Sequence, residues 1–202
     1  MDGMNKKFKA NPVDFLKKHL LSVEPLENLG KGDLNLDLVA DGLNAKLQSF
    51  KRAKPDAAHA AKHQLPAYWL PWQSGGVAEM TLGDKANYFF TSKMDGCQLR
   101  VLTLGGGGVK VLHIAGDAGG SDFADDGDED NVGGSNWREG KAQSKLGAQG
   151  YIRSRALSST ANQGNQVYGG KSVHVVGFKK DGAWQFWVQE SLANVYQFQT
   201  GG

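Results

Sequence analysis

Hydrophobic and polar residues alternate in several short segments of this chain. In "DLNLDLVA", Leu34, Leu36 and Leu38 alternate with polar residues. This period of two is typical of a strand that buries one face. The dipeptide Asp41-Gly42 that follows predicts a tight turn, and "GLNAKLQSF" then predicts the hairpin partner of the first strand.

The segment that begins at Asn11 has a helical pattern instead. Asn11-Pro12 is a typical helix start, because Asn caps the first turn and Pro fits its first position. The residues that fall on one helical stripe are Phe15, Leu16, His19 and Leu20. The pattern predicts a helix that ends before Pro25, with His19 at the polar edge of the stripe.

Further strands are predicted in the rest of the chain. "PAYWLPWQSG" predicts an edge strand that runs into a turn, because Pro71 interrupts it. "ANYFFTS", "QLRVLTL" and "VKVLHI" are also typical of strands, and the glycines at 105–108 predict a hairpin between the last two. Strand character resumes in "QGYIRSRALS", "KSVHVVGF", "AWQFWVQE" and "NVYQFQ". Between the middle two of these, Lys180-Asp181-Gly182 predicts a turn.

The composition agrees with a fold built from many short strands. Glycine accounts for 28 of the 202 residues, and the chain also has five Trp and nine Phe. Average glycine usage is only about 7%, so tight turns are abundant here. We predict an α+β fold with a mixed β-sandwich core and a few peripheral helices, in a single domain over residues 1–202.

Charge and hydropathy exclude several classes of partner. The net charge is only +2, and no basic cluster is interleaved with aromatic residues, so we expect no nucleic-acid partner. No stretch approaches the roughly 20 apolar residues of a membrane span, so we expect no membrane partner. The first residues lack the apolar core of a secretory signal, and the single cysteine fits a reducing compartment. We expect a chain made without a general secretory signal.

Two patterns resemble metal sites, but neither is complete. His59 and His63 have a suitable spacing, yet no carboxylate or cysteine joins them, so we interpret them as part of a solvated face. The segment 116–136 carries seven carboxylates, but a calcium loop placed in register with its central glycine has Ala124 and Gly133 at ligand positions. We predict a solvated loop there, no metal, and no organic cofactor.

The candidate chemistry lies in "MDGCQLRVLTLGGGGVKVLHI", which holds Cys97, the only cysteine, and His113. Pairing across the glycines places residue 100 opposite His113, with Cys97 roughly 10 Å further along unless a bulge draws it in. Asp95-Gly96 predicts a sharp turn that exposes the thiol and directs backbone N–H groups to one point, as an oxyanion hole requires. Two interpretations remain open: a buried small hydrophobe beside a strand histidine, or a nucleophile with its base.

A cysteine-histidine pair is suited to attack on an amide or ester carbonyl. An adjacent imidazolium favours the thiolate and later protonates the leaving nitrogen. The histidine at 174 lies inside a Val-rich segment, and we interpret it as a packed strand residue rather than as a catalyst.

The stretches "YWLPWQSG", "YFFTSKMDGC" and "GGVKVLHIAGD", in this order and at these spacings, resemble one family of glutamine deamidase toxins. This family comprises Burkholderia lethal factor and the catalytic domain of the cytotoxic necrotizing factors. The resemblance is clear over about residues 66–117. It implies that Cys97 is the nucleophile, His113 its base, and Thr91 the residue that orients the imidazole. The family motif Leu-Ser-Gly-Cys reads "MDGC" here, so Asp95 adds a negative charge that opposes the thiolate unless it faces solvent.

The resemblance also implies a biological role. It points to a bacterial toxin or effector, made in the bacterial cytoplasm, that acts as a monomer in the host cytoplasm. It implies hydrolysis of one glutamine side-chain amide in a host protein to glutamate, without metal or cofactor. A DEAD-box translation-initiation helicase is the preferred target class, and Rho-type small GTPases are the alternative.

Three other activities stay open from the residues alone. A non-enzymatic β-sandwich module, directed for example at carbohydrate, would use exposed tryptophans. The candidates for such a surface are Trp69, Trp72, Trp184 and Trp187. A cysteine protease would use the same Cys97-His113 pair with an extended cleft, and a transglutaminase would replace the attacking water by an amine.

Overall fold

The structure is a computed structural model that describes residues 3–26, 28–49, 64–104, 108–116, 151–158, 166–168 and 172–198. Its helical elements are short: α1 Met4–Ala10, α2 Pro12–Leu16 and a 3-10 helix at Glu24–Leu26. The strands are β1 Leu20–Ser22, β2 Gly32–Asp41, β3 Asn44–Ser49, β4 Leu65–Leu70, β5 Val77–Leu82, β6 Tyr88–Thr91, β7 Gln98–Leu104, β8 Val109–Ile114, β9 Tyr151–Ser158, β10 Gln166–Val167, β11 His174–Lys180, β12 Ala183–Gln189 and β13 Val195–Phe198. The predicted α+β class, rich in strands and with few helices, is confirmed.

The chain divides into two compact units. The first comprises Met1–Pro71, Asp84–Lys93 and Val173–Gln197, and the second comprises Trp72–Gly83, Met94–Ser172 and Phe198–Gly202. The single domain expected over residues 1–202 stays a prediction. In the part of the chain that the structure describes, no helix is long and apolar enough to cross a membrane.

The first unit is built on an eight-stranded sheet of order β1-β3-β2-β4-β6-β11-β12-β13. Phe8 of α1 is fully buried against this sheet. Its ring meets Phe15 of α2 edge to face at 5.3 Å and lies 5.7 Å from Phe90 of β6. Trp69 of β4 is likewise fully buried in the same apolar cluster. The two helices therefore supply part of this core, as expected of elements too short to be stable alone.

The helix predicted from Asn11 begins where expected but is shorter. The Asn11 side chain accepts a hydrogen bond from the Asp14 amide at 3.1 Å, which confirms the cap. The helix ends at Leu16, and the prediction that it continues towards Pro25 is wrong. The Gln189 side chain donates to the Leu16 carbonyl at 2.6 Å, so a tertiary contact from β12 satisfies the helix end.

The prediction that "PAYWLPWQSG" is an edge strand is wrong. β4 pairs with β2 on one side and β6 on the other, so it is an interior strand. Pro71 lies beyond the end of β4 and disturbs no ladder bond. Pro66 pairs with Asn35 of β2, while the pairing with β6 begins only at Ala67. Both prolines thus avoid the positions at which a missing N–H would be costly.

The predicted turns of the first unit are confirmed. Gly42 has φ +60° between the paired ends Asp41 and Asn44 of β2 and β3, which fits a two-residue hairpin with glycine first. Asp181 and Gly182 both have positive φ, 51° and 79°, between β11 and β12. Positive φ at both central residues defines the tight hairpin turn that Asp-Gly favours.

The second unit is built on a five-stranded sheet of order β10-β9-β7-β8-β5. The predicted hairpin of β7 and β8 is its centre, and residues 98–102 of β7 are buried on both faces. An apolar cluster forms around Leu102, Leu112 and Ile114. The ammonium of Lys110 lies 3.2 Å from the carboxylate of Glu79, so charge also enters this interior as an ion pair.

Candidate functional site

Cys97 lies directly before β7, at the end of a sharp turn. Gly96 has φ +72°, a conformation that L side chains rarely adopt. The thiol Sγ is 3.8 Å from the carbonyl oxygen of Asp95, so the turn closes on itself. Only 3% of Cys97 is exposed, whereas Asp95 is exposed and Gly96 is half-buried. The predicted turn is present, but it leaves the thiol mostly covered.

Three residues of the second unit hold this turn in place. The hydroxyl of Tyr168, which is fully buried, donates to the carbonyl oxygen of Cys97 at 2.8 Å. The Ser172 hydroxyl donates to the Asp95 carboxylate at 3.3 Å. A Cβ added at Gly116 would lie 2.9 Å from the carbonyl carbon and oxygen of Gly96, so only glycine fits there. The turn from Asp95 to Cys97 is thus held by hydrogen bonds at both of its ends.

His113 lies in β8, in the strand next to the one that follows Cys97. The ladder pairs Leu99 with His113, so the expectation that residue 100 lies opposite His113 is wrong by one position. Because side chains alternate, a shift by one residue exchanges the faces of the sheet. The observed register predicts that Cys97 continues the face of Leu99 and His113. Cross-strand diagonal pairs of this kind have Cα atoms about 7–8 Å apart, closer than the roughly 10 Å expected.

Burial governs the charge state of His113. The residue has no exposed surface, and desolvation lowers the pKa of its imidazole from 6.5 to about 4. At neutral pH the ring is therefore an uncharged imidazole, which accepts a proton rather than presenting a positive charge.

Thr91, the third residue implied by the family resemblance, lies at the end of β6 in the first unit. It is buried, with 1% exposed, and its hydroxyl donates to the Leu70 carbonyl at 2.7 Å. The hydroxyl is thus engaged within its own sheet. The orienting role of Thr91 towards His113 stays a prediction.

The other histidines that the structure describes, His19 and His174, belong to the first unit. His174 is the first residue of β11 in the first unit, and burial lowers the pKa of its imidazole to about 4 as well. His19 lies after α2, half-buried, where burial also lowers its imidazole pKa. His59 and His63, like the acidic segment from residue 117, lie outside the described residues.

The tryptophans do not form one common exposed surface. Trp69 is fully buried, Trp184 and Trp187 are partly buried, and 45% of Trp72 is exposed. The Phe178 and Trp187 rings stack at 6.5 Å, and Trp184 lies 6.0 Å from Tyr68. These contacts place the tryptophans of the first unit among its packed aromatic residues.

Sequence analysis missed Tyr168, Ser172 and Gly116. Tyr168 and Ser172 are distant in sequence from Cys97, and no local pattern links them to it. Gly116 had a signal, because it follows His113 by three residues in "HIAGD" and directly precedes the acidic segment. A glycine at the end of a strand commonly marks a close backbone approach, and that principle would have singled it out.

No protein-family model matches the chain, and no curated protein sequence matches it. Among solved structures, the chain is similar to the C-terminal domain of CNFy from Yersinia pseudotuberculosis. The identity is 8%, the TM-score is 0.43, and the match covers 96% of each chain. A likeness at this level carries no argument about function, which has to come from the residues themselves.

Proposed function

We propose that this protein is a protein-glutamine deamidase toxin with Cys97 as nucleophile and His113 as general base. The observation that carries the proposal is the register of β7 and β8, which pairs Leu99 with His113. Alternation along the strand supports a thiol on the same face as the imidazole. The sequence resemblance supports the reaction class. The Gly96 turn and the contacts that hold it support a fixed position for the thiol.

The neutral state of His113 favours a definite order of proton transfers. The imidazole accepts the thiol proton as Sγ attacks the carboxamide carbon of the substrate glutamine. Backbone N–H groups at Gly96 and Cys97 stabilise the oxyanion of the tetrahedral intermediate. When the C–N bond breaks, ammonia leaves with the proton that His113 holds, and a thioester remains. His113 then removes a proton from water, which hydrolyses the thioester to glutamate and restores the thiol.

Desolvation keeps the proposed base uncharged, and a pKa of about 4 also makes it a weak proton acceptor. An imidazole whose pKa is about 4 is uncharged throughout the physiological range, so the base does not have to be deprotonated first. The imidazolium that forms during attack is stabilised only while negative charge on the oxyanion or on Sγ is close to it. The charged state therefore exists transiently, which confines the chemistry to the moment when substrate is bound.

The substrate class in this proposal is a glutamine of a host protein. The helicase and the small GTPases are the two target classes that the sequence resemblance implies. A DEAD-box translation-initiation helicase is our preferred target, and no described residue of the site distinguishes the two classes.

The test uses the full chain and an extract of animal cells in water labelled with heavy oxygen. Hydrolysis through the thioester places heavy oxygen in the new glutamate, and peptide mass spectrometry then identifies both the protein and the glutamine. Cys97→Ser serves as the inactive variant, and His174→Ala serves as the matched control in the other sheet. We expect labelled glutamate at a small number of sites with the wild type and none with Cys97→Ser. Equal labelling by both would remove Cys97 from the reaction.

A further inference from the structure

One exposed residue precedes the turn at the thiol. Cys97 and residues 98–102 of β7 are buried, whereas Asp95 is exposed and Gly96 is half-buried. Sγ lies 3.8 Å from the backbone carbonyl oxygen of Asp95. The exposed residue that is closest to the thiol in the chain thus carries a carboxylate.

The Asp95 carboxylate is also fixed in position. Its Oδ2 accepts a hydrogen bond from the Ser172 hydroxyl at 3.3 Å, which restricts the rotamers of an otherwise exposed side chain. The carboxylate and the carbonyl belong to one residue, so bond lengths place the charge within about 9 Å of Sγ. A negative charge is thus held near the thiol.

We propose that Asp95 is a specificity-determining residue that favours glutamines with a cationic neighbour. The inference rests on the proposed function and adds the electrostatic character of its substrate. A fixed charge at the rim of a site acts mainly on encounter and register, and its effect is reduced by salt. Lysine or arginine next to the target glutamine lowers the energy of the encounter complex, whereas aspartate or glutamate raises it.

The size of the effect follows from Coulomb's law. In water, two unit charges about 9 Å apart change an equilibrium or a rate by roughly twofold. Replacing a cationic probe by an anionic probe therefore changes the rate by about fivefold when Asp95 is charged. Because the Debye length is about 10 Å at 0.1 M salt and shorter above it, the ratio approaches one at high salt.

The first experiment measures this charge at the thiol without requiring deamidation. The full-length protein is treated with two methanethiosulfonates of similar size, one bearing trimethylammonium and one bearing sulfonate. In each case the thiolate attacks the sulfenyl sulfur, a disulfide forms, and methanesulfinate leaves. We expect the cationic reagent to react faster, and we expect Asp95→Asn to lower the cation-to-anion rate ratio by about fivefold at low salt.

Two further variants separate local from global charge. Ser172→Ala removes the hydroxyl that fixes the carboxylate, and we expect it to lower the ratio by about half as much. Asp41→Asn changes the net charge by the same amount at an exposed residue of the first unit, and we expect no change. Equal ratios for wild type and Asp95→Asn, or no reaction of Cys97 with either reagent, would overturn the inference.

The second experiment uses peptides of equal length with one glutamine flanked by lysine, alanine or glutamate. The wild type is expected to deamidate the lysine peptide fastest and the glutamate peptide slowest, and Asp95→Asn is expected to narrow the range. Equal rates with all three peptides overturn the specificity inference and leave the deamidase proposal intact. If no glutamine is converted in these peptides or in cell extract, the deamidase proposal and the substrate preference fall together, while the reagent ratio still measures the charge.

Discussion

His113 and His174 lie in strands of different sheets and share one electrostatic property. His113 belongs to β8 of the five-stranded sheet, and His174 belongs to β11 of the eight-stranded sheet. Burial lowers the pKa of both imidazoles to about 4, so both rings are uncharged at neutral pH. By charge state alone, the two histidines are equivalent.

Their surroundings differ in the group that is available to receive or give a proton. The strand that pairs with His113 begins directly after a cysteine, on the same face in the observed register. The charged groups that act on His174 are Glu24, which raises its pKa, and Lys93, which lowers it, and both effects are smaller than that of burial. Burial supplies a neutral imidazole in both places, and the cysteine that precedes the strand paired with His113 is the reason that His113 is the base in our proposal.

The largest effect is expected from Cys97→Ser, which removes the group that distinguishes the two histidines. The substitution is nearly isosteric, but a serine hydroxyl is a far weaker nucleophile in a site with a neutral base. Deamidation should fall by about a thousandfold or more, while the circular dichroism spectrum and the unfolding midpoint remain close to those of the wild type. Deamidation by Cys97→Ser at a rate within about tenfold of the wild type would show that Cys97 is not the nucleophile.

The next largest effect is expected when the two histidines are replaced in turn. General acid–base catalysis contributes about a hundredfold or more, so His113→Ala should lose at least that factor in turnover. His174→Ala should keep its turnover once the folded fraction is taken into account. His113→Ala removes a fully buried side chain and His174→Ala removes a partly buried one, and each should lower the free energy of unfolding by about 1–3 kcal/mol.

The comparison of the two histidines includes its own control. His113→Gln keeps a polar side chain of intermediate size and serves if the alanine variant fails to fold. A folded, inactive His174→Ala together with an active His113→Ala would reverse the assignment of the base.

A smaller effect is expected at Gly116, which fixes the turn before Cys97. A Cβ at this position would lie 2.9 Å from the backbone of Gly96, so Gly116→Ala must displace the turn. A displacement of about 1 Å at a reacting group can reduce catalysis by up to about a hundredfold, and we expect a loss between about tenfold and that value. Gly32→Ala, where a Cβ meets nothing within 4 Å, is the matched control. Unchanged turnover in Gly116→Ala would show that the turn tolerates the displacement.

The elements that were predicted from sequence are those with a complete local pattern. The alternation of Leu34, Leu36 and Leu38 predicted β2, and Asp41-Gly42 and Asp181-Gly182 predicted their hairpins correctly. Each of these signals involves residues that are close in sequence. The hairpin of β7 and β8 was predicted for the same reason.

The errors share a different origin, because each depends on a partner that is distant in sequence. α2 ends at Leu16 since Gln189, 173 residues away, bonds to its carbonyl. β4 is interior because β2 and β6 pair with its two sides, which Pro71 alone does not predict. The one-residue error in register at His113 is the exception, because it lies within one hairpin whose glycine-rich end specifies register weakly. The roles of Cys97 and His113 stay predictions from sequence, whereas the contacts of Tyr168, Ser172 and Gly116 required the structure.

The smallest effect concerns stability rather than turnover, and here the two histidines should behave alike. In the folded protein the pKa of each imidazole is about 4, and in the unfolded chain it is about 6.5. The unfolded chain therefore binds more protons between these values, so the stabilisation is complete above about pH 6.5 and is lost as the pH falls towards 4. Between about pH 7 and about pH 5, each histidine should lower the free energy of unfolding by about 2 kcal/mol. Urea unfolding at several pH values measures how the free energy of unfolding depends on pH. This dependence should be reduced by a similar amount in His113→Phe and in His174→Phe, which replace the imidazole by a ring that does not titrate. If only one of the two variants reduces it, desolvation lowers the pKa of that histidine alone.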